Sequence, residues 1–527
     1  MPGASKSDDL LIGLSIGTTK TNIIVAKYDS RYPESINVIG LGDAPSRGIS
    51  KGIIVNPIDV QKSIVRAFED AVNITGISPE RLRRNVVVAF NAMDVKSTMT
   101  PGMVVIGGGS DAQVVRKKDL DRVIITAKKR LALPGNMYPL HTIPVHYDLD
   151  DRPVENPLNM NGTKLDIMLH TVAVPVTYVS NVITCVQSAG LEIREDVGVV
   201  LKPLASALGA VYDDEMRAGC ISISIGGGST GITLFRGGRV FAIKSIPIGG
   251  NHITNDLATV MHMSLREAEI NKKRIFIQEE EEDLIKEGIN IDAALEVVVA
   301  RIEELFGDYV REALEEYDPQ SFTGGIILSG GVSYTPGIER VISDILQLPV
   351  RLVDQPVYSM PFGDDNAAYV SSAGILRYLS MIDRDPYFFI PPDSSLPGII
   401  TRRPKTSTSS NRSFFRSERS ERPERNERNE INEQDDLLDE GFEDDEPRQA
   451  QNQIKSRGNS GRMKNRFARN DETENYDDYN DNYNNGYDES EEEDEYDEYE
   501  DGQNRGSTRE TLSNFLRDLG DKLKDLF

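Results

Sequence analysis

The chain has 527 residues, a formal net charge of −26 and 38% hydrophobic residues. That length sets a prior of about three domains, and the acidic balance argues against nucleic-acid binding. The charge is uneven: residues 401–527 hold 21 Lys and Arg against 35 Asp and Glu, while the first 400 have an ordinary globular composition.

Near the start, no apolar stretch reads as a secretory signal. No run in the chain approaches the roughly 20 apolar residues that cross a bilayer, so the sequence predicts an intracellular protein without a transmembrane helix. Residues 10–28 read as two strands around Ser15-Ile16-Gly17-Thr18-Thr19-Lys20-Thr21. Gly17 lets a ligand approach the backbone, and Lys20 offers a mobile positive charge beside the turn. A β-rich stretch to Val55 precedes a helix whose apolar positions Ile64, Val65, Phe68 and Val72 recur at helical spacing, with Gly76 as its stop. Residues 85–90 read as a buried strand. From about 94 to 176 comes a compact insertion of strands around a helix with Leu120, Val123, Ile124, Ala127 and Leu131 on one face. A further helix carries Val179, Val182, Ile183 and Val186. The small residues of Leu204-Ala205-Ser206-Ala207-Leu208-Gly209-Ala210 read as close helix packing.

A second glycine turn follows at Ser224-Ile225-Gly226-Gly227-Gly228-Ser229-Thr230-Gly231. It fits G-x-G-x-x-G, but a dinucleotide turn needs a helix after it, and residues 232–243 read as strand, glycine turn, strand. The first turn matches it position for position: Ser15-Ile16-Gly17-x-x-x-Thr21-x-Ile23 against Ser224-Ile225-Gly226-x-x-x-Thr230-x-Ile232. Two such hairpins in corresponding halves predict a duplicated α/β unit with a phosphate cradle in each. Gly249-Gly250-Asn251 then opens a helix whose N-terminus favours an anion. The charges at 264–275 read as a solvated face, and a long helix is expected over 292–316. Ser329-Gly330-Gly331-Val332 gives another turn after a strand, with a helix begun near Pro336. One cleft lined by all these turns is the economical picture. The five histidines and the two cysteines, Cys185 and Cys220, have no metal-ligand spacing, and the cysteines read as reduced buried thiols.

From about Thr401 the periodicity vanishes and charge becomes blocky, as in a disordered linker. The last residues change character. Leu512, Phe515, Leu516, Leu519, Leu523, Leu526 and Phe527 fall on one helical face, which at the end of a tether predicts a membrane-surface helix, a protein groove being the alternative.

Paired phosphate hairpins, a glycine-led helix and a Ser-Gly-Gly turn resemble the actin-like and chaperone-type ATPase superfamily. Within it, Pro157-Leu158-Asn159-Met160-Asn161-Gly162, Lys202-Pro203-Leu204-Ala205-Ser206-Ala207, Gly249-Gly250-x-x-Ile253-Thr254-x-Asp256 and Glu267-Ala268-Glu269 with Lys272 resemble the FtsA family of bacterial cell-division proteins. The resemblance covers roughly residues 8–395 and 511–527. It implies an α/β, actin-like two-lobed ATPase fold with an inserted α+β subdomain, a long disordered C-terminal linker and a terminal amphipathic helix. The implied divisions are 8–85 as lobe 1A, completed by 169–202 and about 370–395; 86–168 as the insertion; 203–261 as lobe 2A, completed by 319–369; 262–318 as a helical subdomain; 396–510 as linker; and 511–527 as the membrane helix.

It further implies ATP with Mg²⁺ between the lobes. The nucleotide would be held by Gly17, Thr18, Thr19, Lys20, Gly226, Gly227, Gly228, Ser229, Thr230, Gly250 and Asn251, with Glu269 and Lys272 at the ribose or adenine and Gly330, Gly331 and Val332 closing over the adenosine. The implied partners are the C-terminal peptide of FtsZ, further copies of the chain in filaments, other division proteins through 86–168, and the cytoplasmic face of the cell membrane at the division site. This chain departs from the family at Ser15, Ser224 and Gly231, where acids are usual. Those acids help organise hydrated Mg²⁺, so the departure predicts nucleotide binding with very slow or absent hydrolysis. A pilus-assembly adaptor of the PilM type and a sugar kinase are the competing readings. The kinase needs an acid near the first hairpin, where Ser15 stands.

Overall fold

The computed structural model describes residues 10–28, 36–107, 111–195, 197–277, 289–358, 366–392 and 396–397. The expected terminal helix with its seven apolar residues, and all but two residues of the expected linker, lie outside these.

The first lobe begins with β1 (Leu10–Ile16), β2 (Lys20–Tyr28) and β3 (Ile36–Pro45), an antiparallel meander. Helix α1 (Pro57–Thr75) follows. The Asn56 side chain accepts from the amides of Ile58 and Asp59, Pro57 opens the first turn, and Gly76 closes the helix at φ 62°. Val60, Ile64, Ala67 and Phe68 form its buried stripe. Next, β4 (Val86–Phe90) lies parallel to β1 and is buried at every position, as a central strand covered on both faces must be.

The insertion is an antiparallel sheet of its own. Its elements are β5 (Lys96–Val105), α2 (Lys117–Lys128), β6 (Met137–Leu149), β7 (Arg152–Val154) and β8 (Lys164–Pro175), with strand order β7-β6-β8-β5. Leu120, Val123, Ile124 and Ala127 of α2 enter its core, whereas Leu131 lies beyond the end of the helix. Helix α3 (Val176–Ser188) and β9 (Val199–Leu201) return to the first lobe, where β9 pairs with β4.

After α4 (Lys202–Ala210), the second lobe repeats the first. Strands β10 (Ile221–Ile225), β11 (Thr230–Arg236) and β12 (Arg239–Ile246) form a meander, and β13 (Ile326–Ser329) and β14 (Val350–Leu352) add in parallel. The two sheets have orders β3-β2-β1-β4-β9 and β12-β11-β10-β13-β14, the same topology twice. The duplication legible in the two hairpins therefore extends to whole sheets, and the architecture is the actin-like two-lobed α/β fold.

Between β12 and β13 stand α5 (Gly250–Val260), α6 (Leu265–Phe276) and α7 (Ile291–Glu304). The long helix expected over 292–316 is continuous but widens to a π-helical stretch at Leu305–Val310 before Arg311–Leu314. Helices α8 (Ile338–Leu346) and α9 (Val370–Arg384) complete the fold. The small residues of α4 have the packing role expected of them. A β-carbon on Gly209 would strike the Val370 carbonyl, and one on Gly374 the Ala205 carbonyl, so α4 and α9 cross backbone to backbone.

Candidate functional site

Both glycine turns sit at the end of the first strand of their sheet, β1–β2 and β10–β11. Each is closed by the same bond: the Gly17 amide donates to the Lys20 carbonyl at 3.0 Å, and the Gly226 amide to the Ser229 carbonyl at 2.9 Å. The Ser46 amide pins the first turn through the Thr19 carbonyl, and the Thr230 hydroxyl pins the second by donating to the Ile248 carbonyl at 2.8 Å. The amides of Thr18, Thr19, Gly227 and Gly228 donate to no acceptor among the described residues. Such free amides on a glycine turn form an anion cradle.

The two turns face each other. A β-carbon on Gly228 would lie 2.5 Å from the Thr18 hydroxyl, and one on Gly227 would overlap the Thr19 methyl. Glycine here permits close approach of the opposite turn. The other lobe also reaches across through Asn91, after β4, whose side-chain amide donates to the Ser229 hydroxyl at 2.8 Å and accepts from Ser245 at 3.2 Å.

The remaining glycine turns close on the second one. Gly250 and Asn251, at the start of α5, donate their amides to the Gly226 and Gly227 carbonyls at 2.9 and 2.7 Å. Gly330, at φ 97°, lies against the Ile225 backbone, and Val332 packs on Gly250. Gly331 is exposed beside them. The turns at Gly17, Gly226–Gly228, Gly250 and Gly330–Val332 are therefore neighbours.

Three charged residues expected at the site are engaged by the protein itself. The Lys20 ammonium donates to the Tyr369 hydroxyl at 2.7 Å and pairs with Asp43 at 3.0 Å, while Tyr369 donates to the same Asp43 oxygen. Lys272 is 6% exposed, and its three donors reach the Gly250 carbonyl, the Thr254 hydroxyl and the Glu269 carboxylate. Burial lowers the Lys272 pKa, with Glu269 opposing the shift. For Glu269, burial pushes upward but the Lys272 charge and hydrogen bonds win, leaving it below the usual carboxylate range. This pair clasps α6 to the first turn of α5. Asp256 likewise holds Arg301 through two bonds, at 2.6 and 2.9 Å.

Sequence reasoning missed Lys202, the first residue of α4. Its ammonium lies against Gly17, and the adjacent Pro203 ring packs 2.8 Å from where a Gly231 β-carbon would be. Lys202 forms no hydrogen bond or ion pair with the described residues, and desolvation lowers its pKa to about 8. The signal in the sequence was a cation directly before a proline at a helix start, facing neither hairpin in linear order.

The acids absent from the turn heads leave hydroxyls there. Ser15 is buried and shares a 2.9 Å hydrogen bond with Ser371, and Ser224 is opposite Gly231 in the β10–β11 ladder. The glycine cradles and Lys202 fit a polyphosphate. A carboxylate set for Mg²⁺ is not present: among the described residues no three His, Cys, Asp or Glu side chains gather to hold a metal.

The sequence model described as cell division protein FtsA matches residues 221–374, and that of the SHS2 domain inserted in FtsA matches residues 93–173. The cell division protein FtsA of Bacillus subtilis is 30% identical over 386 residues, covering 71% of this chain and 84% of the relative. That of Pseudomonas aeruginosa is 30% identical over 392 residues, covering 71% and 90%. Among solved structures, the PilM–PilN type IV pilus biogenesis complex aligns over 71% of this chain and 99% of that chain, at 19% identity and a TM-score of 0.48.

Proposed function

The chain belongs to the FtsA family of bacterial cell-division proteins, and from that premise we propose that it is an ATP-binding scaffold tethering the FtsZ ring to the membrane. ATP lies between the two glycine turns, with its phosphates on the free amides of Thr18, Thr19, Gly227 and Gly228. The observation that supports this is the mutual approach of the two cradles, which leaves both sets of donors within reach of one short polyanion. Adenosine is bounded by Gly330, Gly331 and Val332 and by the Glu269–Lys272 clasp. Hydrolysis is very slow or absent, because the turn heads are Ser15 and Ser224 and Gly231 carries no acid to order a hydrated metal and the attacking water. Mg²⁺ accompanying the nucleotide would find no cluster of carboxylate ligands among the described residues and would have to come with the nucleotide itself.

The scaffold role is supported by two exposed apolar surfaces. The edge strand β5 exposes Met99, Met103 and Val105, with Val114 and Met160 on the same insertion, which suits contacts with further copies and other division proteins. Around α5 and α6, Val260, Leu265, Ile270 and Ile277 are exposed, which suits the FtsZ C-terminal peptide. No helix among the described residues is long and apolar enough to cross a membrane; the proposed attachment is the stretch 511–527, whose apolar residues recur at helical spacing. Liposome co-sedimentation with FtsZ tests the proposal. FtsZ is expected to pellet with liposomes in the presence of the full chain and to stay soluble when residues 511–527 are deleted. Equal pelleting with the truncated chain would count against the tether.

A further inference from the structure

We infer that Lys202 is the phosphate-binding cation of the cleft, supplying from the protein the counter-charge that a carboxylate-held Mg²⁺ would otherwise bring. This rests on the reading of the cleft as a nucleotide site and names what holds the nucleotide's charge there.

Lys202 and Pro203 form the floor between the two turns. The ammonium lies over Gly17 of the first, and the proline ring lies against Gly231 after the second. Helix α4 thus points its N-terminal end at both cradles, so the partial positive charge of its first turn adds to the ammonium. The cation on the first turn itself is spent, since Lys20 is tied to Asp43 and Tyr369. Lys202 has no such partner among the described residues. An unpaired ammonium taken out of water is costly, and its lowered pKa of about 8 records that cost. A bound polyphosphate removes it. A free ammonium 2.5 Å from the Gly17 β-position also repels a dication brought to the same place. The heads of the turns, with Ser15 bonded to Ser371 and Ser224 in place of an acid, suit a polyanion, and the nearby Asp43 is already paired with Lys20.

ATP, ADP and adenosine are titrated calorimetrically into the full chain at pH 7, in Mg²⁺ and in EDTA, for the wild type and for Lys202→Met, Lys202→Gln and Lys202→Arg. Wild-type ATP affinity is expected to change by less than about threefold on Mg²⁺ removal. The Met and Gln variants are expected to lose about tenfold to a hundredfold in EDTA, the range for a lost hydrogen bond to a charged group. The Arg variant should retain most of the affinity, and adenosine binding should be unchanged throughout. Without nucleotide, the Met variant should melt no lower than the wild type, since a half-buried ammonium with no partner among the described residues has been removed. ATP affinity in EDTA that is equal in the wild type and in both neutral variants overturns the assignment, as does wild-type binding that collapses without Mg²⁺. A wild type that binds no ATP in either buffer would instead sink the nucleotide reading itself.

Discussion

Lys202 and Gly17 compete for the same space: a β-carbon on Gly17 would lie 2.5 Å from the Lys202 ammonium. The glycine of the first cradle therefore admits a cation from the start of α4. Much of the expected behaviour of this chain follows from that one approach.

The free Lys202 amine titrates near pH 8, and a phosphate partner favours its charged form. Above that pH, binding must take up a proton, so ATP affinity is expected to fall towards about tenfold per pH unit until the bound-state pKa is reached. Lys202→Arg should flatten the profile, because arginine stays charged. The apo protein should change in the opposite sense. Its folded pKa is depressed below the unfolded value, so the unfolded chain binds more protons between about 8 and 10.5, and apo stability rises with pH across that window. Titration calorimetry and chemical denaturation from pH 7 to 10 read both slopes.

Restoring an acid at Gly231 is expected to destabilise the protein. The Pro203 ring lies 2.8 Å from the β-position of Gly231, so Gly231→Asp forces α4 away from β11 at a cost of about 1–3 kcal/mol. Ser15 is buried but already bonded to the Ser371 hydroxyl, which can donate to a carboxylate, so Ser15→Asp should lower the thermal midpoint less. Thermal denaturation of the two variants side by side checks the order.

Asn91 of the first lobe bonds to Ser229 of the second cradle and to Ser245 of β12. Asn91→Ala should cost about 1 kcal/mol of stability for the lost hydrogen bonds. Because it also frees one lobe from the other at the turn, nucleotide release should accelerate several-fold. Stopped-flow displacement of a fluorescent ATP analogue measures that rate.

Two buried histidines set the acid limit. Burial lowers the pKa of His141 to about 3, with His170 adding to the shift, and burial lowers His170 to about 4. The His141 Nε2 accepts from the Leu201 amide at 3.1 Å, which requires the neutral ring. Since unfolded histidine titrates near 6.5, the unfolded chain takes up protons that the folded chain refuses, and stability falls as pH drops from 6.5 towards 4. The loss approaches about 1.4 kcal/mol per pH unit for each histidine. Urea denaturation should show this slope reduced by about half in His141→Gln.

The repeat between Ser15–Ile23 and Ser224–Ile232 made the duplicated fold legible, because a cradle needs glycine at fixed offsets from a buried strand and that spacing survives in sequence. The small residues of α4 and the Gly76 stop were legible for the same reason: one backbone geometry demands them. Charged residues were harder to place. Lys20 reads as a free cation in sequence, but β3 and the residue before α9 bring Asp43 and Tyr369 to it from far along the chain. Glu269 and Lys272 sit one helical turn apart and find each other first. Lys202 went unnoticed because what makes it unusual is the lack of a partner, which only the folded chain displays.

The most direct test of the account is equilibrium dialysis of the full chain against radiolabelled ATP, followed by chromatography of the retained nucleotide. The account predicts saturable binding of a single ATP per chain, recovered intact after hours of incubation with Mg²⁺. Failure to retain nucleotide, or prompt recovery of ADP and phosphate in its place, would contradict it.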